Sequence, residues 1–437
     1  MPNLAMNFTS AITGFMSHFG VICPAIPGHL NPQTALAREL MARGHRVSFY
    51  QQPYSQARLE STGFVCRTFA TDEFPVERMA EQFRTLAKLS GRKALEYTIV
   101  TFKESTDVCL RYIPNLLTND GVDALLVDQV SWAGATIAEK LKLPYVTFCN
   151  ALVTNRESSV PPFCFTWQYR ADLLGRLRND LAYRFIAHLA RPILQCLNDH
   201  RAGMGLAPIR RLMDLNSPYA NVSQQPAEFE FPRRELPDTF HFVGPMRDSN
   251  SRPPISFPYE KLDGRPLVYA SMGTLQNRQI EIFGKIAEAC APLPIQLIIS
   301  LGGGGSPEDL GQLPGNPIVV GEAPQLDLLK RAKLCITHAG LNTTLECLAE
   351  GVPMVAIPIT NDQPGVAARI VWTKTGVLIP LGKLTPDRLR AAVRKVLDDT
   401  SYSENASKMK STIARYRGAA HAADIALAVA ERRTGSH

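Results

Sequence analysis

The 437-residue sequence lacks several features that define common protein classes. Its nine cysteines are odd in number and form no CxxC pair, which argues against a disulfide framework and a zinc ribbon and favours a reducing compartment. No apolar run is long enough to cross a bilayer, because prolines and Gly28 interrupt the uncharged stretch that precedes Arg38. With 45% hydrophobic and 20% charged residues, the composition is that of a globular protein and not of a disordered chain or a coiled coil.

The net charge of +7 is modest for this length. It is compatible with an anionic ligand or a membrane surface, but it gives no reason to expect nucleic acid as a partner. Residues 1–15 carry no positive charge, so they do not resemble a signal peptide, and we interpret them as an extension before a domain that starts near Met16. A cytoplasmic protein is therefore expected.

The order of short apolar runs predicts two α/β domains with parallel sheets. A strand at 18–23 is followed by a helix that we expect to begin at Asn31 and Pro32 and to end at Gly44, and then by a strand at 46–50. Such a βαβ unit is typical of a parallel sheet. Further strands are predicted at 124–128, 145–150, 267–271, 295–301, 318–320, 334–337 and 354–358, with helices between them.

Two segments differ from this alternation. Residues 247–266 are dense in proline, serine and charge, which is typical of a linker between domains. Residues 163–208 combine aromatics with arginines and predict helices with a basic face. This face is either a solvated surface or part of an acceptor entrance that contacts a membrane. These arginines are Arg170, Arg176, Arg178, Arg184 and Arg191.

Two turns that follow strands predict a phosphate site in the second half of the chain. The strand at 334–337 leads into His338-Ala339-Gly340, and Asn342 is placed to cap the helix that follows. Ser271-Met272-Gly273-Thr274 follows the strand at 267–271 in the same way. Small residues let the backbone approach a ligand, and a helix N-terminus offers free N–H groups to an anion. The glycine run 302–305 is interpreted instead as a flexible turn.

The stretch 323–370, which contains THAGLNTTLECLAEGVPMVAIPITNDQPG, resembles the nucleotide-sugar signature of the UDP-glycosyltransferases. The bacterial zeaxanthin and macrolide glycosyltransferases are similar from about Met16 onward. The resemblance implies the GT-B fold, in which two Rossmann-like parallel-sheet domains face a central cleft. The implied division is an acceptor-binding domain at 16–246, a linker at 247–266, a nucleotide-sugar domain at 267–410, and a C-terminal helix within 411–437 that packs back on the first domain.

The resemblance implies inverting transfer of glucose from UDP-glucose to a hydroxyl of a hydrophobic small molecule, of the carotenoid, phenolic, sterol or macrolide class. The sequence has no DxD motif, so neither a metal nor a cofactor is expected. Other interpretations stay open: transfer of another sugar such as GlcNAc to a lipid acceptor, a phosphorylase or epimerase on the same scaffold, or a regulator that binds a sugar nucleotide.

Roles for individual donor-binding residues also follow from the resemblance. The position of a stacking tryptophan in plant relatives is Glu322, so the backbone of Ala323 and the side chain of Gln325 are the candidates for holding the base. Gln363 accompanies a preference for glucose over galactose. The resemblance assigns the diphosphate to His338 and to the amides near Gly340, Asn342 and Thr343, and it assigns a phosphate contact to Ser271, Gly273 and Thr274. Glu346 is expected to bind the ribose. Asp362 and Gln363 are expected to bind the hexose.

His29 and Asp128 are the predicted catalytic residues. His29 lies between a strand and a helix, and we expect the positive helix end to disfavour the imidazolium and to keep the ring neutral. The resemblance implies that His29 is the general base and that Asp128, which ends the strand at 124–128, orients it. Asp128 could also simply cap the following turn. Phe163, Phe165 and Trp167 are the candidate acceptor-binding aromatics.

Overall fold

The computed structural model describes residues 16–248, 254–273 and 280–434. It shows two α/β lobes, each built on one all-parallel sheet, so the predicted α/β fold class is confirmed. The extension 1–15, Thr274 and part of the predicted linker lie outside the described residues. No helix in the described ranges has both the length and the apolar character needed to cross a membrane.

The N-terminal sheet has the strand order β3-β2-β1-β4-β5-β6-β7. Its central strands are buried on both faces, which explains why they read as continuous apolar runs rather than as alternating patterns. The strands are β1 (His18–Ile22), β2 (Arg46–Gln51), β3 (Val65–Thr68), β4 (Ala124–Asp128), β5 (Tyr145–Cys149), β6 (Ala220–Ser223) and β7 (Phe240–Phe242). The helices of this lobe are α1 (Pro27–Ala42), α2 (Gln56–Ser61), α3 (Val76–Lys88), α4 (Gly91–Asp120), α5 (Trp132–Leu141), α6 (Leu173–Leu189) and α7 (Arg191–Gly203).

The C-terminal sheet has the order β10-β9-β8-β11-β12-β13. Its strands are β8 (Leu267–Ser271), β9 (Gln296–Ser300), β10 (Ile318–Val320), β11 (Ala332–Thr337), β12 (Met354–Ala356) and β13 (Gly376–Leu378). The helices are α8 (Ile280–Cys290), α9 (Gln325–Leu329), α10 (Leu341–Glu350), α11 (Gln363–Trp372), α12 (Pro386–Asp398) and α13 (Thr400–Ile413). A last helix, α14 (Ala419–Thr434), returns to the N-terminal lobe and buries Ala422, Ala426 and Val429 in the core that contains Phe19 and Leu36.

Each sheet changes winding direction between two neighbouring strands, and these points place the site. In the N-terminal lobe β1 lies beside β4, and in the C-terminal lobe β8 lies beside β11. The carboxyl ends of such strand pairs form a crevice in which open α/β sheets bind ligands. His29 follows β1 and Asp128 ends β4, while Ser271 ends β8 and His338 follows β11.

Three expectations about local structure are wrong. Helix α1 begins at Pro27 and not at Asn31, because Pro27 already offers the φ angle that suits a first helical position, and its N-cap is Ile26. Similarly, α10 has Gly340 as its N-cap instead of Asn342. The aromatic part of the segment 163–208 is not helical, since regular helix begins only at Leu173.

Candidate active site

The two lobes enclose one large cleft of about 1750 Å³. Drug-sized ligand pockets usually measure roughly 300–1,000 Å³, so this cleft has room for two substrates. Its lining includes His29 from the N-terminal lobe and Ser271, His338 and Asp362 from the C-terminal lobe. The strand ends that the sequence singled out therefore face one another across a common space.

His29 and Asp128 form a hydrogen-bonded pair on the N-terminal side of the cleft. The Nδ1 atom of His29 lies 2.7 Å from Oδ2 of Asp128, which is fully buried. Asp128 also accepts bonds from the Nδ2 atom of Asn150 and the amide of Val130, at 2.7 and 2.9 Å. These bonds hold the carboxylate in place, and a proton on Nδ1 leaves Nε2 of His29 as the basic atom. Asp128 thus caps the turn and orients the histidine.

From the sequence we expect the positive helix end to disfavour the imidazolium of His29. The structure gives the opposite net result, because the pKa of His29 is raised. Burial by itself lowers the pKa of His29, but the charge of Asp128, the hydrogen bond to it and the charge of Asp362 outweigh that effect. The pKa of His29 is therefore raised above its usual value of 6.5. A ring with a raised pKa is a better proton acceptor, and it is lost as a base as the pH falls through that pKa.

Pro32 leaves a carbonyl group of α1 free to accept a hydrogen bond from the opposite lobe. Because proline has no N–H, Pro32 cannot donate to the carbonyl of Gly28 four residues earlier. The Gly28 carbonyl instead accepts the side-chain amide of Asn342 from α10 at 2.8 Å. The other end of that amide, Oδ1 of Asn342, accepts from Gln224 at 2.7 Å. The side chain of Asn342 therefore joins the lobes, which leaves its backbone N–H in the first turn of α10 as the group that it can offer to a ligand.

The N-terminus of α10 is open to an anion. The first-turn N–H groups of an α-helix have no partners within the helix. In the described residues no side chain caps this end of the ten-residue helix, so these N–H groups can bind an anion. The His338 ring lies between two glycines beside it: a Cβ added at Gly273 or at Gly340 would come within 2.5 Å of the ring. Burial lowers the pKa of His338 to about 4, so the ring acts as a neutral hydrogen-bond donor and not as a cation.

Gly340→Ala should displace the His338 ring. The φ angle of Gly340 is −63°, which alanine adopts freely, so the contact with the ring is the main effect. We expect a stability loss of about 1–3 kcal/mol from overpacking. UDP affinity should fall on the order of 10–100-fold, the equivalent of about 1.5–3 kcal/mol for a hydrogen bond to a charged group. Calorimetric titration with UDP and urea unfolding measure the two effects.

Gly284→Ala is the matched control, since Gly284 lies inside α8 and a Cβ there meets nothing within 4 Å. It should stabilise the protein by up to about 1 kcal/mol and leave UDP binding unchanged. Wild-type UDP affinity in Gly340→Ala would contradict the assignment of His338 to the diphosphate.

The side of the cleft formed by the C-terminal lobe contains a network around Gln325. Its Nε2 atom donates to Oε2 of the buried Glu346 at 2.6 Å, and its Oε1 atom accepts from the Tyr269 hydroxyl at 3.1 Å. Gln325 is thus held against Glu346, where it orients the carboxylate. Glu322 is exposed at the rim of the cleft, next to the turn at Gly303, where an added Cβ would lie 2.8 Å from its Oε1 atom. The glycine run at 302–305 forms a turn, as the sequence predicted, and Gly302 is its member in the cleft lining.

Asp362 and Gln363 lie where α11 begins, and both line the cleft. Oδ2 of Asp362 accepts from the amide of Leu152 in the other lobe at 3.1 Å. Burial raises the pKa of Asp362, partly opposed by that hydrogen bond and by the charge of His29. Oε1 of Gln363 already accepts from the amides of Ile359 and Thr360, at 2.9 and 3.0 Å. Asp362 is consequently the better placed of the two to accept bonds from sugar hydroxyls.

Only one of the three predicted acceptor aromatics reaches the cleft. Phe163 lines it, but Phe165 and Trp167 stack on each other with centroids 4.1 Å apart and lie outside the lining. The extended segment carrying them runs along α11 of the opposite lobe, where the Phe163 carbonyl accepts from the amide of Gly365 and Gln168 donates to the Ala368 carbonyl. Assigning Phe165 and Trp167 to the acceptor is therefore wrong.

The apolar wall of the cleft comes mainly from α3 and α4, two helices that the sequence analysis did not identify. Helices α5 and α7 also contribute. The signal was present, because the apolar residues of both helices recur at helical spacing of four and three residues. The wall contains Met79, Phe83, Leu86, Leu95, Ile99, Phe102, Trp132, Ile193 and Leu194.

Among the described residues, one group of side chains has the spacing of metal ligands, and it lies outside the cleft lining: Asp107, Cys196 and His200. Asp107 is already bound by His200 at 2.8 Å and by Arg111 at 3.0 Å. This group is thus explained as an ion-pair cluster that joins α4 to α7.

The paired lobes and the facing His–Asp and helix-terminus sites define a glycosyltransferase of the GT-B type. The structure is similar to that of CalG4, the calicheamicin glycosyltransferase, with a TM-score of 0.73 over 96% of this chain and 99% of that one. The identity of 22% makes this likeness one of fold. Residues 29–419 match the family described as "UDP-glucoronosyl and UDP-glucosyl transferase", and the chain belongs to that family.

Two curated relatives extend over most of the chain. The zeaxanthin glucosyltransferase of Pantoea ananas is 32% identical over 94% of this chain and 95% of its own length. That of Pseudescherichia vulneris is 34% identical over 83% of this chain and 86% of its own length. The resemblance stated from the sequence motif, the GT-B architecture and the identification as a UDP-glycosyltransferase family enzyme are confirmed.

Proposed function

We propose that this protein transfers glucose from UDP-glucose to a hydroxyl of a hydrophobic small molecule, with inversion at the anomeric carbon. The observation that carries the proposal is the His29–Asp128 pair, which faces the α10 N-terminus across a cleft with an apolar wall. The names of the two relatives support a glucosyl donor and a carotenoid-type acceptor. Phenolic, sterol and macrolide acceptors have the same combination of apolar body and hydroxyl group.

The reaction is a single displacement. Nε2 of His29 takes the proton of the acceptor hydroxyl while the oxygen attacks the anomeric carbon. The bond between that carbon and the β-phosphate oxygen breaks, and UDP leaves with the electron pair. Asp128 stabilises the imidazolium that forms, as the carboxylate of a catalytic triad does. The products are a β-glucoside, UDP and the proton held on His29.

The departing diphosphate is stabilised by fixed dipoles in this proposal. The free N–H groups at the start of α10 and the neutral His338 ring are directed to the site where negative charge develops. Preorganised donors of this kind do not have to reorient during the reaction. Since the sequence also has no DxD motif, the proposed mechanism is independent of a metal ion.

A donor comparison tests the proposal. UDP-glucose, UDP-galactose and UDP-GlcNAc are each supplied with hydroxylated carotenoid, phenolic, sterol and macrolide acceptors, and UDP release is followed. We expect UDP-glucose to give the highest kcat/KM, because the family resemblance associates glutamine at the position of Gln363 with glucose. Asp362 at the start of α11 can accept two sugar hydroxyl bonds. The anomeric configuration of the product, read by NMR, should be β.

A clearly better rate with UDP-GlcNAc or UDP-galactose would contradict the donor assignment. An α-glycoside would contradict the single displacement. If the protein binds UDP with an affinity typical of a substrate but transfers sugar to none of the hydroxylated acceptors, a regulator that binds a sugar nucleotide would be favoured instead.

A further inference from the structure

The outward face of α6 is apolar. Leu173, Leu177, Leu181 and Phe185 are spaced four residues apart, so they lie on one face of the helix. Their exposed fractions are 81%, 55%, 56% and 41%, and the neighbouring Leu174 is 70% exposed. We call these five residues the α6 stripe.

The inward face of the same helix is made of small and polar residues. Gly175, Asn179 and Ala182 are the positions of α6 that the protein buries. A surface helix of a globular protein ordinarily shows the opposite arrangement, with its apolar residues turned to the core. Contiguous exposed apolar surface with a polar rim is typical of an interaction site.

Positive charge surrounds the α6 stripe. Between residues 170 and 191 the chain has five arginines and two aspartates. The two aspartates are neutralised locally, since Asp172 pairs with Arg170 and Asp180 pairs with Arg156. In the described part of the chain no carboxylate lies within ion-pair distance of three exposed arginines near the stripe, which are Arg176, Arg184 and Arg191.

The α6 stripe is continuous with the cleft. The C-terminal half of α6 contributes Tyr183, Arg184, Ile186 and Ala187 to the cleft lining, and Ala190 follows directly after the helix. A surface that contacts the stripe would therefore lie next to the apolar wall on which the acceptor is expected to bind.

We propose that the α6 stripe and its arginines are a docking surface for an anionic lipid bilayer. The leucines and Phe185 enter the boundary between headgroups and acyl chains, as the apolar face of an interfacial helix does, and the arginines bind the anionic headgroups. The proposal of a docking surface depends only on this arrangement of residues. Its consequence, that a lipophilic acceptor passes directly from the bilayer to the cleft, rests on the proposed function.

Charge favours a bilayer over a second copy of the chain as the occupant. A two-fold contact would bring the same surface of both copies together. The unpaired arginines of one copy would then lie against those of the other, and like charges brought together are unfavourable. An anionic bilayer supplies the opposite charge along with the apolar phase.

Vesicle binding of the full chain tests the proposal. The protein is sedimented with vesicles of phosphatidylcholine alone or with added phosphatidylglycerol, at low and high salt. We expect binding to the anionic vesicles that weakens as salt rises. The double substitution Leu177→Ser/Leu181→Ser should weaken it at least about tenfold, given the hydrophobic contribution of each buried carbon. Arg176→Gln should weaken it about fivefold, as each near-surface basic residue contributes about 1 kcal/mol.

Val65→Ser is the matched control, because Val65 is an exposed apolar residue on β3 at the sheet edge, and its binding should equal that of the wild type. Equal binding to neutral and anionic vesicles, or unchanged binding in the leucine variant, would overturn the proposal. So would a concentration-dependent dimer in sedimentation velocity that the leucine variant abolishes, since a second copy would then cover the stripe. Turnover of a water-soluble phenol should be unaffected in the leucine variant, so a failure of docking is distinguishable from a failure of the proposed reaction.

Discussion

Replacing His29 with alanine should lower kcat by about 10²–10⁴-fold, which is the usual contribution of a general base. UDP affinity should change little, because the α10 N-terminus and His338 belong to the opposite lobe. Turnover is followed by UDP release and binding by calorimetry. His200→Ala serves as a control, since His200 pairs with Asp107 outside the cleft lining and should keep wild-type turnover.

The pH profile supplies a second readout for the same residue. A base is active when it is unprotonated, so kcat should fall on the acid side as the pH drops through the raised pKa of His29. Asp128→Asn removes the charge that raises this pKa, so its acid limb should move to lower pH while kcat also falls. An unchanged kcat in His29→Ala, or an acid limb that does not move in Asp128→Asn, would contradict the assignment.

Glu230→Gln should destabilise the protein by about 3–5 kcal/mol, the usual cost of removing one partner from a buried ion pair. Glu230 of the N-terminal lobe is fully buried and accepts from Nε of Arg369 on α11 at 2.9 Å. Arg233, also buried, lies 3.5 Å from the same carboxylate oxygen. The glutamine variant keeps the shape but leaves two buried guanidinium groups without a counter-charge. Urea unfolding measures the difference in the free energy of unfolding.

Two control variants make the Glu230 result specific. Glu81→Gln breaks an exposed ion pair with Arg84 and should leave the free energy of unfolding nearly unchanged, because solvent screens such a pair. Combining Glu230→Gln with Arg369→Met should recover part of the loss, since one of the uncompensated charges is removed as well. A single Glu230 variant as stable as Glu81→Gln would show that the pair contributes nothing to the lobe interface.

The same pair makes stability depend on pH. Burial raises the pKa of Glu230, but the charges of Arg369 and Arg233 outweigh it and leave the pKa below its usual value of 4.5. A carboxyl group with a lowered pKa in the folded state contributes stability that is complete above the pKa of the unfolded chain. That contribution is lost as the pH falls through the lower pKa of the folded state. Glu230→Gln should therefore flatten the decrease in stability below about pH 4.5.

Most of the framework of the site could be predicted, because the strands that form it depend on patterns of neighbouring residues in the sequence. The runs at 124–128 and 267–271 were placed to the residue, since buried parallel strands are continuous apolar segments bounded by polar ones. Parallel topology then brings the ends of neighbouring strands together, which is why Asp128 meets the residue that follows β1. The apolar wall of the cleft was missed although α3 and α4 have helical spacing, because charged residues between the apolar positions obscure the pattern.

The sequence alone thus determined the alternating α/β architecture and the family. It also singled out His29 and Asp128, which the structure places in one hydrogen-bonded pair. Only the tertiary structure decided what each side chain faces. The raised pKa of His29 depends on carboxylates distant in sequence. Phe165 and Trp167 stack on each other outside the cleft, in a segment that Gln168 holds to Ala368 of α11, 200 residues further along the chain. The outward direction of the leucines on α6 has the same origin. Helical spacing defines an apolar face, but the rest of the fold determines whether that face is buried.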